Sequence, residues 1–164
     1  MKIKPILYSL IILLIFSQCT STEQSKNNTI KVVATTGMIY DAILNIAGDS
    51  IETEVLMGPG VDPHLYKATQ GDIRKLNQAD IIFYNGLHLE GKMGEIFEKL
   101  GQIKRVVPVA ESLPNSLIIR SEEFQNAVDP HIWFDVKRWK YAVVEINKQL
   151  GEIKPEQATF FNKN

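Results

Sequence analysis

Short apolar runs of strand character alternate with helically spaced apolar residues along most of this chain, and that alternation narrows the possible folds more than any other feature. Ile30–Thr35, with Val32 and Val33 inside it and Gly37 after it, reads as a strand. Ile39, Ala42, Ile43, Ile46 and Ala47 then recur at helical spacing, and Gly48 stands where a helix stop belongs. Ile51–Met57 alternates apolar and polar residues as a second strand would. Thr69 and Asp72 have the spacing of a capping box and open a helix that turns Ile73, Leu76 and Ala79 inward. Asp80–Tyr84 supplies a third strand, Met93, Ile96, Phe97 and Leu100 another helix, and Val106–Val109 a fourth strand. Asp135 can cap a further helix with Trp139, Ala142, Val143, Ile146 and Leu150 on its buried face. The expected fold class is therefore α/β, a mainly parallel sheet flanked by helices on both faces.

The two ends read differently. Lys2 and Lys4 precede the apolar run Ile6–Phe16, which falls short of the roughly 20 residues of a membrane-spanning helix and has the layout of a secretory signal peptide over residues 1–18. Cys19, the only cysteine, follows directly. It has no partner for an internal disulfide, and its position is that of a lipidated first mature residue, although Gln18 stands where Gly, Ala or Ser is usual. Residues 19–29 are polar and read as a lipidated tether, so folding is expected to begin near Ile30 and one α/β lobe to occupy residues 30–153. Pro155 suits a first helical position, and residues 154–164 read as the start of a truncated inter-lobe helix. The formal charge of −1, with no basic stripe and no arginine cluster, gives no reason to expect a nucleic-acid partner.

Two of the three histidines share one tripeptide: Asp62-Pro63-His64 recurs as Asp129-Pro130-His131. A lone loop histidine is ordinarily solvated or bound into local structure; the repeat is what raises the metal reading. Each proline fixes its own φ and biases the aspartate before it toward extended backbone, so each histidine leaves a stiffened segment. Neutral imidazole is the commonest metal ligand, and Asp62 or Asp129 can orient a ring through its second nitrogen. Two histidines are not a complete site, because tetrahedral zinc takes four ligands and manganese prefers more oxygen. His88 reads as an outer or structural group rather than a ligand. Glu90, Glu111 and Asp135 are carboxylates able in principle to complete a site, but each reads as solvated or as a helix cap, and Trp133 and Trp139 read as packing residues.

Several segments together resemble the zinc/manganese solute-binding lipoproteins of ABC transporters, the TroA-like metal-binding proteins. They are Val32–Thr36, Gly58–Tyr66, Asp80–Glu90 and Asp129–Asp135. The resemblance implies a two-lobed protein with a helical backbone between lobes and a metal held in the cleft, of which this chain would be the N-terminal lobe. By motif match His64 and His131 are the metal ligands, and a His or Glu and an Asp would come from the second lobe. It also implies a membrane permease and a separate ATPase as partners. The expected protein is monomeric, exported and anchored by lipid in the cell envelope, facing the periplasm or the exterior. A divalent metal is its cargo, with no organic cofactor and no enzymatic activity. Manganese is favoured over zinc or iron, because Tyr84–Met93 looks like the manganese-linked members and no long His- and acid-rich loop lies between Leu89 and His131. Adhesion, sometimes proposed for relatives, has no reading in these residues. The alternatives are a zinc metallohydrolase, disfavoured by the lack of a His-Glu-x-x-His pattern, and a truncated remnant without a tight site.

Overall fold

The computed structural model describes residues 29–121 and 127–164. The expected signal peptide, Cys19 and nearly all of the tether lie outside the described residues. Four strands, β1 (Lys31–Ala34), β2 (Glu52–Val55), β3 (Ile81–Tyr84) and β4 (Arg105–Pro108), form one sheet in the order β2-β1-β3-β4 with every pairing parallel. β1, β2 and β3 are shorter than the segments expected from sequence, and β4 is shifted back by one residue from Val106–Val109.

A parallel sheet must be covered on both faces, which is why the central strands β1 and β3 are apolar on both sides, whereas the edge strand β2 keeps Glu52, Thr53 and Glu54. Val32, Ala34, Ile81, Phe83 and Val107 point into one apolar cluster, whereas Val33 and Ile82 point into the other. Helix α1 (Gly37–Ala47) covers the first face through Ile39, Ala42, Ile43, Ile46 and Ala47, and it stops at Gly48, whose φ is +54°. Helices α2 (Gln70–Gln78) and α3 (Gly94–Gly101) cover the second through Leu76, Phe97 and Leu100. Full burial of each such side chain stabilises the fold by about 1.5–3 kcal/mol. Lys104 closes the far end of α2, its Nζ donating to the carbonyls of Leu76, Asn77 and Ala79 at 2.7–2.9 Å.

A two-residue antiparallel ladder, β5 (Arg120–Ser121) with β6 (Ala127–Val128), interrupts the return from β4. Helix α4 (Val136–Ile153) then packs back on the first face through Ala142, Ile146 and Leu150, with Trp139 and Val143 partly buried beside them. Asp135 caps it, accepting from the Lys137 and Arg138 amides. After α4 the backbone turns at Lys154, passes through a 3-10 turn at Pro155–Gln157 and forms a short helix α5 (Ala158–Phe161) that packs against α4 and α1. Phe161 is buried in the first-face core. Among the described residues no helix is long and apolar enough to cross a membrane.

All four connections from a strand to its following helix leave from the carboxyl edge of the sheet. They carry Thr35 and Thr36 after β1, His64 after β2, His88 and Glu90 after β3, and His131 after β4. Strand order reverses between β1 and β3, the position where open α/β sheets form their ligand crevices.

Candidate metal centre

The β2–α2 connection is a series of tight turns. Gly60 takes a φ of +81°, and the amides of Val61 and Leu65 donate to the carbonyls of Gly58 and Asp62. Asp62 accepts from the His64 backbone amide at 2.9 Å, an Asx-type turn of three residues. It therefore orients the backbone of His64; the structure gives it no bond to the ring. Farther along, the Tyr66 hydroxyl donates to Asp72 and thereby ties this loop to the start of α2.

His131 is held differently. It is the central residue of an inverse γ-turn, with φ −81° and ψ 54°, closed by Ile132 N–H donating to Pro130 O at 2.9 Å. Ile132 is buried in the core directly after it and Pro130 is buried directly before it. Asp129 accepts from the His131 amide at 3.0 Å and pairs with its ring Nδ1 at 2.7 Å. The backbone bond from His131 is the main reason that the Asp129 carboxyl lies below the usual range, and the ring bond adds to it against a burial effect of opposite sign. An ionised carboxylate can only accept, so Nδ1 carries the proton, and in the neutral ring it is Nε2 that has the lone pair.

That lone pair faces His64. The two Nε2 atoms are 3.2 Å apart, with ring centroids at 5.2 Å and planes inclined by 59°. Two nitrogens bound to one tetrahedral zinc at about 2.05 Å would sit about 3.3 Å apart, so the spacing is that of two ligands on one ion. Without an ion, His64 fits the same contact as an Nε2–H donor. Both Asp-Pro-His segments are thus brought together, although their sequence separation is 67 residues.

The surroundings mix aromatic and aliphatic side chains with charged ones. The Trp133 ring meets His131 edge-on at 5.3 Å, and Phe134 lies 6.4 Å away on an 82% exposed position. Trp133 therefore packs against the histidine pair itself. A cleft of about 490 Å³ beside His131 is lined by Leu113, Ile118, Phe134 and Val136 together with Asp129 and Arg138. Among the described residues no group of three or more His, Cys, Asp or Glu is placed to hold a metal, so the two rings stand as a pair.

Of the other sequence candidates, Asp135 lines the same cleft as His131 but is engaged as the cap of α4 and with Arg138, whereas His88, Glu90 and Glu111 are elsewhere. His88 is exposed, has a left-handed φ of 64°, and lines a separate pocket with Tyr84, Glu90 and Glu111. Glu111 is exposed there as expected. Glu90 corrects the expectation of a solvated or capping residue: it is 3% exposed. Its Oε1 accepts from the Thr35 hydroxyl at 2.7 Å and the Asn85 amide at 2.8 Å, and its Oε2 from the Gly86 amide at 3.2 Å. Burial raises its carboxyl while these bonds oppose the rise.

The family described as zinc-uptake complex component A, periplasmic, matches residues 32–164. The chain belongs to this family. Within the zinc-uptake component family it is 46% identical over 144 residues to the manganese-binding lipoprotein MntA of Bacillus subtilis, covering 88% of this chain and 47% of MntA. It is 50% identical over 132 residues to the zinc-binding protein TroA of Treponema pallidum, covering 80% of this chain and 42% of TroA. The solved structure of that periplasmic zinc-binding TroA superposes with a TM-score of 0.79 at 49% identity, over 82% of this chain and 48% of the other. The chain thus spans about half the length of the family members it matches, and its parallel sheet between helices is one lobe of a TroA-like fold.

Proposed function

We propose that His64 and His131 form one side of a cleft that captures a divalent transition metal, manganese in preference to zinc or iron, as the substrate-binding part of an ABC importer. The observation that carries this reading is the 3.2 Å approach of the two Nε2 atoms, each supplied by an Asp-Pro-His segment on a different crossover. Asp129 supports it by fixing the His131 tautomer that offers a lone pair. The remaining ligands would come from a second lobe facing the exposed apolar rim around Phe134 and Leu65. The preference for manganese rests on the Tyr84–Met93 stretch and on the absence of a His- and acid-rich loop in the sequence between Leu89 and His131. In this reading the chain catalyses no reaction. It is exported, anchored through Cys19, monomeric, and hands its ion to a permease driven by a separate ATPase.

Isothermal titration with manganese and with zinc tests the site. The parent chain should bind, and a His64→Ala, His131→Ala double variant should lose that binding while keeping its helical content. Undiminished binding by the folded double variant would overturn the assignment.

A further inference from the structure

The polar cluster around Glu90 lies at the β1/β3 switch point, where Thr35 leaves one strand and Asn85 the other. Its role there is only partly explained by the local turn. Glu90 already satisfies the amides of Asn85 and Gly86 and the hydroxyl of Thr35. The Asn85 side chain adds a bond that the turn does not need: its Nδ2 donates to Pro130 O at 3.0 Å, 45 residues along the chain, as well as to Gly86 O. Pro130 O is the same carbonyl that closes the γ-turn on which His131 sits.

Resting on the metal-capture reading above, we propose that Asn85, oriented by Glu90, is a positioning residue that holds His131 at its distance from His64. Three observations carry it. Asn85 and Glu90 are 1% and 3% exposed, so water does not compete for their bonds. The backbone that follows Asn85 is forced into the left-handed region at Gly86, Leu87 and His88, an arrangement that persists only where its surroundings over-determine it. Gly86 is also pressed against β4: a Cβ there would lie 2.9 Å from Pro108 Cβ. Asn85 is therefore set rigidly against two strands, and its amide transmits that position to the histidine turn.

A thermodynamic cycle with zinc alone as the probe tests this. Asn85→Ala should weaken zinc binding up to about tenfold, less than the loss of a direct partner of a metal-ligating ring, because Asn85 acts on His131 through the Pro130 carbonyl. In a His131→Ala background the same substitution should cost less than twofold, because the residue acts through His131. In ring ¹⁵N spectra, the His64 and His131 signals should shift together with zinc in the parent and separately in Asn85→Ala. Glu90→Gln, which keeps the shape, should show a smaller loss with the same background dependence, and it stands in if Asn85→Ala does not fold. Equal losses in both backgrounds, or no loss in a folded variant, would overturn the positioning role while leaving the metal site intact. Zinc affinity unchanged by His131→Ala would instead remove the metal reading and the positioning role with it.

Discussion

The Tyr66 hydroxyl donates to Asp72 Oδ2 across 2.7 Å, joining the end of the His64 loop to the first turn of α2. The same oxygen accepts from the Thr69 amide and hydroxyl, and Thr69 Oγ1 accepts in return from the Asp72 amide. One carboxylate thus serves both as the helix cap and as the mooring of the loop, and burial with this bond pushes the Tyr66 hydroxyl up to about 12.

Removing the mooring alone should be measurable. Tyr66→Phe keeps the ring and the capping box but loses one bond to a charged acceptor, so urea unfolding at neutral pH should show a loss of about 1.5–3 kcal/mol. Thr69→Ala, which removes the cap itself, should cost about 0.5–2 kcal/mol. A Tyr66→Phe chain as stable as the parent would mean that the loop is held by its turns alone.

Asp72 and Glu90 should push stability in opposite directions with pH. Burial raises the Asp72 carboxyl, but the bonds from Tyr66 and Thr69 and the nearby Lys75 outweigh it and hold it below the usual range. Its contribution is complete above the unfolded value of about 3.9 and is lost as pH falls through the lower folded value. Glu90 lies above the usual range through burial, so its contribution is complete below the unfolded value of about 4.3 and is lost as pH rises through the folded one. Urea midpoints followed from about pH 2 to 7 should have a shallower acid limb in Asp72→Asn and should fall less on the rise from about pH 4 in Glu90→Gln.

Metal capture should itself depend on pH. Ligation needs neutral imidazole, and histidine protonates in the region of about pH 6.5. Zinc affinity should fall between about pH 7.5 and 5.5. A flat profile would speak against histidine ligation.

Two glycines make a matched pair. Gly86 has φ +81° and no room for a Cβ against Pro108, whereas Gly94 opens α3 with nothing within 4 Å. Gly86→Ala should destabilise the chain by about 1–3 kcal/mol, as overpacking commonly does. Gly94→Ala should be neutral or stabilising by up to about 1 kcal/mol. Equal effects in chemical denaturation would contradict the packing at Gly86.

What the residues revealed in advance follows the range of each signal. The strands and helices were legible because their apolar periods are local and because parallel strands, covered on both faces, show as runs such as Ile81–Phe83. The Asp62 and Asp129 tripeptides were legible because they repeat. Glu90 was not: an acid beside Gly and His in a loop looks solvated, and its burial depends on Thr35, 55 positions earlier. The Asn85 bond to Pro130 is equally non-local. The β5–β6 ladder is two residues a side, too short for any alternation to show. That Asp129 reaches a ring whereas Asp62 reaches only an amide depends on the γ-turn at His131, which no tripeptide pattern encodes.

The 67-residue span between His64 and His131 also bears on how the chain assembles. Their loops spring from β2 and β4, the two edges of the sheet, so the rings cannot meet until every parallel pairing is in place. An ion held by both rings, as proposed above, could be bound only once the sheet is built, so it would stabilise the folded lobe by mass action and leave the unfolded chain unconstrained. Metal would slow the opening of the finished lobe without hastening its formation, and its release would return the sheet to its intrinsic lifetime.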